Sequence, residues 1–316
     1  MRLRRFLVSI LIVIVGASVS SPAFAESGDG PETLENEPIE FFTGVRGAGT
    51  GNSHTAVASG VDSLYQNPAG VARAPMYVLD GAFTFTPQGA LMSAGVVDSK
   101  LNPQLAAGVG YTYFIGRGEH ENLSGHDVKA AIGIPVVPEQ ISVGAGIRYL
   151  RITDTDLPEP TGEDDEDAQL LIHGVTIDAG VNFQAADIFH LGLTGENLID
   201  HCSDDERCRG STPTRISGGV GIGEETGFMF SGDVSLDLTS STEGPLFDFG
   251  AGAEYLVAGV VPLRLGYEHR AFLDRHLISA GGGWRSEEVG VDLAYRHDLN
   301  QADRFGYASA SFSVYF

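Results

Sequence analysis

Cysteine, tryptophan and basic residues are scarce in this chain. It has two Cys, one Trp and 19 Lys plus Arg among 316 residues, against 42 Asp plus Glu, for a formal charge of −23. A chain this poor in positive charge lacks the basic footprint that nucleic acid requires. No run beyond the first 25 residues approaches the length of a helical membrane span. The glycine-rich stretch 44–51 has no preceding strand, no closing Gly-Lys-Ser/Thr and no acidic partner in a βαβ context, which argues against a phosphate loop. Nine His residues are scattered, and none pairs with a nucleophile by spacing. The chain is therefore read as a non-enzyme, without cofactor or metal, and the barrel protease or deacylase is the weaker alternative.

Glycine is abundant, with 42 residues. It is spread through apolar alternating segments, which favours β-structure over a disordered composition. Residues 1–25 carry the marks of a secretory signal peptide. Arg2, Arg4 and Arg5 form the charged region, 6–16 the apolar core, and Ala23-Phe24-Ala25 the cleavage site. The paired Arg4-Arg5 hints at twin-arginine export, but a barrel must cross unfolded, so the general secretory route is preferred. Residues 26–43 read as an acidic periplasmic linker, with six acidic and no basic residues over 26–40.

From residue 76 to 316 the chain reads as a meander of fourteen alternating segments, at 76–87, 89–98, 104–116, 123–135, 140–153, 170–184, 187–198, 213–224, 227–239, 245–257, 261–271, 276–285, 288–299 and 303–316. Most reach the roughly 9–11 residues that a tilted strand needs to cross a bilayer, and the number is even. Phe228, Phe230, Val234, Leu236 and Leu238 share one face, with Ser231, Asp233, Ser235 and Asp237 on the other. Leu263, Leu265 and Tyr267 oppose Arg264, Gly266 and Glu268. Val291, Leu293 and Tyr295 oppose Asp292 and Arg296. Ile147 and Tyr149 oppose Gly144, Gly146 and Arg148. With a leader in front, the apolar face is assigned to lipid and the polar face to a lumen. The fold class is an all-β, antiparallel transmembrane barrel of the outer membrane, in contact with its lipid and lipopolysaccharide.

Placing the N-terminus in the periplasm puts the long connections 154–169 and 199–212 outside and the short ones inside. The first of these holds eight acidic residues. It reads as a solvated surface loop, or as an oxygen-ligand cation site without the fixed Ca²⁺-loop spacing. The second holds Cys202 and Cys208, which in an exported chain read as a disulfide. A metal site including His201 is the thinner alternative.

Fourteen strands lie between the eight that side chains fill and the sixteen that leave a channel, so the lumen is either plugged or open. Residues 44–75, rich in Gly, Ala and Ser and poor in charge, are the available plug. Gly44, Gly47, Gly49 and Gly51 argue against a long first helix, and 54–65 against a backdrop of Ser53 suggests one short helix with an N-cap. Asn67-Pro68 ends it, and Gly70 permits a tight turn. Small lumen-facing residues, among them Gly144, Gly146, Ser231, Gly266 and Gly290, leave room for an inserted segment. Arg148, Glu268, Asp292 and Arg296 are candidates to hold it.

Gly47-Ala48-Gly49, the Ala/Val/Ser run that follows, and Tyr65 to Ala72 with the core Asn67-Pro68-Ala69-Gly70 resemble the hatch of FadL-type outer-membrane proteins, in the PorV-like branch. Leu191-Gly192-Leu193 through Asn197-Leu198 is similar to a strand of that branch. So is the pair Ala253-Glu254-Tyr255 and Leu263-Arg264-Leu265-Gly266-Tyr267, and so is Val291 to Tyr295, where Leu293 replaces a Tyr. The final strand, with Phe312, Val314 and Phe316 in one apolar row, resembles the signal read by the barrel-assembly machinery. The resemblance implies a fourteen-stranded barrel with a hatch. It also implies one of two roles, binding or passage of a hydrophobic small molecule, or accessory service to secretion-system proteins. Passage is the reading taken. The short, acidic outer loops depart from the long apolar loops of the transporters, which weighs against fatty-acid uptake itself.

Overall fold

The computed structural model describes residues 38–156, 170–185, 188–199, 210–224, 226–301 and 306–316. The leader, most of the linker, much of the acidic loop, and both Cys202 and Cys208 lie outside the described residues.

Fourteen antiparallel strands close on themselves: β1 Tyr77–Thr86, β2 Gly89–Asp98, β3 Ala106–Gly116, β4 Leu123–Val137, β5 Ile141–Asp154, β6 Leu170–Ala185, β7 Phe189–Glu196, β8 Arg215–Gly223, β9 Phe228–Asp237, β10 Leu246–Val257, β11 Val261–Arg270, β12 Arg275–Arg285, β13 Val289–Asp298 and β14 Tyr307–Tyr315. Each strand pairs with its sequence neighbours. The ring shuts through β1 and β14, with Val78 opposite Tyr315 and Phe85 opposite Ala308. Closure leaves no unpaired edge, the condition for a sheet to stand in lipid. Pro135 near the end of β4 has no N–H to give the ladder, and the pairing with β5 shifts register just after it.

The faces follow the alternation. Phe230, Val234, Leu265, Leu293 and Phe312 are exposed outward, while Asp233, Arg264, Asp292 and Ser313 on the same or neighbouring strands are buried inward. The outside is an apolar band in the manner of outer-membrane barrels. Connections at one end are short, as between β4 and β5 or β12 and β13, and those at the other include the long 154–169 and 199–212. The barrel rule assigns the long-connection end to the outside.

Residues 38–76 form no strand. They hold α1 Val45–Gly49, a 3₁₀ turn at Gly60–Asp62, α2 Ser63–Gln66 and a 3₁₀ turn at Pro68–Ala72. The glycines of 44–51 thus hold the first helix to five residues, entered from Gly44 at φ 92° and left through Gly51 at φ 64°. No single helix covers 54–65, because Gly60 at φ 60° interrupts it, and Ser53 caps nothing. The Ser53 hydroxyl is 2.7 Å from that of Ser231 on β9 and donates to the Thr50 carbonyl.

Candidate functional site

The hydrogen bonds of residues 38–76 run to strands on opposite sides of the ring. Near the long-connection end, the Gln88 amide between β1 and β2 donates to the Pro38 carbonyl and accepts from the Glu40 N–H, while the Ile39 N–H donates to Ser211. Further along, Gly51 N–H donates to Ser279 on β12, Asn52 to Glu268 on β11, and Thr55 N–H to Asp233 on β9. At the other end Met76 leads into β1. The segment therefore runs from the long-connection end of the barrel, where Pro38 to Glu40 are bonded, to the short-connection end. Residues ahead of 44 pack with it, since Ile39 and Phe42 are buried and Glu40 is ion-paired.

Asn67 is fully buried. Its side-chain oxygen accepts from Ala69 N–H at 3.0 Å, closing a turn that Pro68 begins. Its amide donates to the Thr55 carbonyl and to Asn182 on β6, each at 2.8 Å. Ser142 on β5 donates to the Ala69 carbonyl at 3.0 Å. The wall is bare where this turn lies against it. Gly133, Gly144 and Gly180 are direct cross-strand neighbours on β4, β5 and β6. A Cβ at Gly144 would sit 2.3 Å from the Pro68 carbonyl carbon. One at Gly180 would meet the Asn67 side-chain oxygen at 2.0 Å. Gly70 itself has an ordinary φ. It is needed for space, since a Cβ there would lie 2.6 Å from the Ala58 carbonyl oxygen.

The two sides of the interior differ in chemistry. On the side of β10 to β13, Arg46 donates twice to Glu254, at 2.8 and 3.0 Å. Arg264 also bonds Glu254, and reaches Asp292 at 2.6 Å. Arg270 joins Glu268 at 2.7 Å to Glu40 at 2.5 Å, and Arg296 meets Glu268 at 3.2 Å. Of the four charges expected to hold the segment, Glu268 bonds it directly through Asn52. Arg148 pairs with Asp127 on the wall at 2.8 Å and only lies over the Phe41 ring, while Asp292 and Arg296 bond other wall residues. Glu254 and Asp233 carry the stronger contacts. Their partners, Arg46 in the five-residue α1 and Thr55 N–H in a turn, lie in elements too short for periodicity to place.

On the side of β2, β3, β5 and β6 an apolar patch lies among inward polar residues such as Ser93, Thr112, Arg148 and Asp178. Leu91, Val97, Phe114, Leu150, Ile152 and Ile172 pack with Ile39, Phe42, Val45, Leu64 and Val71 in one cluster. The Phe42 and Tyr65 rings meet edge to face at 4.9 Å.

Three carboxyl and imidazole groups on the segment are shifted. Burial acts to raise Glu40, and Arg270 and Arg296 outweigh it, holding the carboxyl at about 2. Burial, reinforced by Asp80 and Asp292, pushes Asp62 up to about 7. Burial and the nearby Arg46 hold His54 well below the usual imidazole range. Asp62 lines a cavity of about 340 Å³ at the short-connection end, with Arg46, Asp80, Arg285 and Asp292.

Phe312 and Phe316 are exposed on the outward face and Val314 is half-buried beside them, next to the closure with β1.

No family model matches the chain, and no curated protein does. Solved structures do. One described as the CymD monoaromatic hydrocarbon channel shares 14% identity at a TM-score of 0.57, covering 86% of this chain and 96% of its own. The toluene transporter TodX of P. putida shares 10% identity at a TM-score of 0.56, covering 89% and 97%. The likeness is one of fold. It agrees with the FadL-type resemblance of the motifs and does not reach the PorV-like branch.

Proposed function

We propose that this protein is an outer-membrane channel that binds or passes a hydrophobic small molecule, with residues 38–75 as its plug. The carrying observation is the apolar patch of the interior. Barrel lumens are ordinarily polar, whereas here Leu91, Phe114, Leu150, Ile152 and Ile172 face inward as one apolar surface. Ile39 and Phe42 occupy that surface near the outer end. A hydrophobic solute of comparable size competes for the same ground, and burial of its area, worth about 25 cal/mol per Å², is the driving term. The hydrocarbon channels of similar fold support this reading. The secretion-accessory role has no comparable observation behind it.

Location in the outer membrane, removal of the 1–25 leader, recognition of Phe312, Val314 and Phe316 by the assembly machinery, and a Cys202–Cys208 disulfide belong to the same proposal. Fractionation with intact-mass measurement on unreduced protein reads all but the machinery.

The direct test uses labelled toluene. Cells producing the protein take it up faster than cells producing Phe114→Arg at equal levels of folded barrel. Equal rates overturn the channel reading.

A further inference from the structure

The hairpin of β11 and β12 carries a cluster that neither the plug nor the apolar surface uses. His269 and His276 are direct cross-strand partners. Both share the outward side of their strands with Leu265, Tyr267 and Ile278, at the outer end of the barrel. Side chains of such a pair stand about 4.5–5.5 Å apart at Cβ, close enough for two imidazoles to ligate one ion. Here the rings stack with centroids 4.6 Å apart. Asp274, exposed in the turn between the strands, places a carboxylate oxygen 3.9 Å from His276 Nε2. One ligand atom from each of the three residues lies within 4.8 Å of the others.

We propose that His269, Asp274 and His276 bind a divalent transition-metal ion of the zinc class at the outer surface. Two imidazoles and a carboxylate suit zinc, copper or nickel better than calcium, which takes oxygen ligands. Three protein ligands leave one position of a tetrahedral ion to water. The Tyr267 hydroxyl lies 2.6 Å from His276 Nδ1, fixing that ring and leaving Nε2 for the ion, the role that groups behind metal ligands commonly play. His269 Nδ1 is buried with no hydrogen-bond partner, an atom that a metal would satisfy. The cations next in sequence do not oppose the ion. Arg270 and Arg275 face the other way, to Glu40, Glu268 and Asp298 inside the barrel. By contrast His126 and His297, also beside tyrosines at the outer end, have no such carboxylate neighbour among the described residues.

The experiment is zinc titration of the full mature barrel in detergent by calorimetry, with heat-modifiable gel mobility as the fold control. The wild type binds one more zinc per chain than the His269→Ala/His276→Ala double variant, which sets aside any binding at the acidic loop or at His201. Asp274→Asn and Tyr267→Phe, both of which leave the imidazoles in place, weaken that one equivalent by about tenfold. His297→Ala leaves it unchanged. Equal stoichiometry and affinity in the wild type and the double variant overturn the site.

Discussion

The half-buried Asp62 and the buried His54 on the N-terminal segment answer pH in opposite senses. Asp62 has its carboxyl raised to about 7, chiefly by burial and by Asp80 and Asp292. Its neutral form's contribution to seating the segment is fully present below the water value near 3.8 and is lost as pH rises through about 7. His54 is held neutral by burial and Arg46. Its contribution is present above the water value of 6.5 and lost as pH falls below it. Between the two water values, 3.8 and 6.5, seating thus takes up a proton at Asp62 and releases one at His54, so the slopes oppose each other. The wild type is expected to show a nearly flat leak conductance across that window in planar bilayers. Asp62→Asn becomes leakier as pH falls below 6.5, since only His54 then responds. His54→Asn tightens over the same range. A sloping wild type with unresponsive variants would place the controlling titration elsewhere. Asn67 acts at the same scale without titrating. Its replacement by Ala removes donors from the Thr55 carbonyl and Asn182. Leaving a buried polar group unpaired costs about 1–3 kcal/mol. An intermediate, noisier leak is expected in single-channel recordings, and silent traces identical to wild type would show that the turn is held by other contacts.

At the scale of elements, the strands were legible because lipid on one side and a lumen on the other impose a period of two that nothing else in the chain overrides. The expected segments and the fourteen strands differ by only a few residues at their ends. The N-terminal segment was less legible for the same reason. It has no face to alternate and no length to sustain a helix, so its α1 and its break at Gly60 depend on what the wall allows. The wall glycines hold part of that information in a form that periodicity does not display. Gly133, Gly144 and Gly180 read as small residues in three separate strands and become one bare patch only after registration. The packing of Glu40 was not legible either, because its partners Arg270 and Arg275 lie some 230 residues away in sequence. The patch has a direct test. Gly144→Val forces side-chain carbon into the Pro68 carbonyl, whereas Gly218 faces outward with nothing within 4 Å. Overpacking costs about 1–3 kcal/mol. Gly144→Val is expected to yield a folded barrel with a raised ion leak, and Gly218→Val one that is as tight as wild type. Matching conductances for the two would show that the turn does not rely on the bare wall.

For the whole molecule, the charged side and the apolar patch of the interior set different consequences for losing residues 38–75. On the charged side, Glu254, Glu268 and Arg270 lose Arg46, Asn52 and Glu40 as partners, and they keep Arg264, Arg296 and each other. Water solvates them readily, so that side becomes a polar conduit. On the apolar side, Leu91, Phe114, Leu150 and Ile152 lose Ile39 and Phe42 from their cluster. That exposure costs stability but breaks no strand pairing, because the ladder closes through β1 and β14 without the segment. The truncated chain is therefore expected to fold, to melt at lower temperature, and to conduct ions steadily in planar bilayers, while the intact protein conducts little. Its current is expected to favour neither sign strongly, since arginines and carboxylates alternate along the exposed side. Adding toluene at saturating concentration to the truncated barrel is expected to lower the current by refilling the apolar side, a response the Phe114→Arg form lacks. Equal conductance in intact and truncated proteins would show that the segment does not close the lumen. Conduction without a toluene response would separate the two parts of the argument, keeping the plug and removing the apolar surface as the ligand's path.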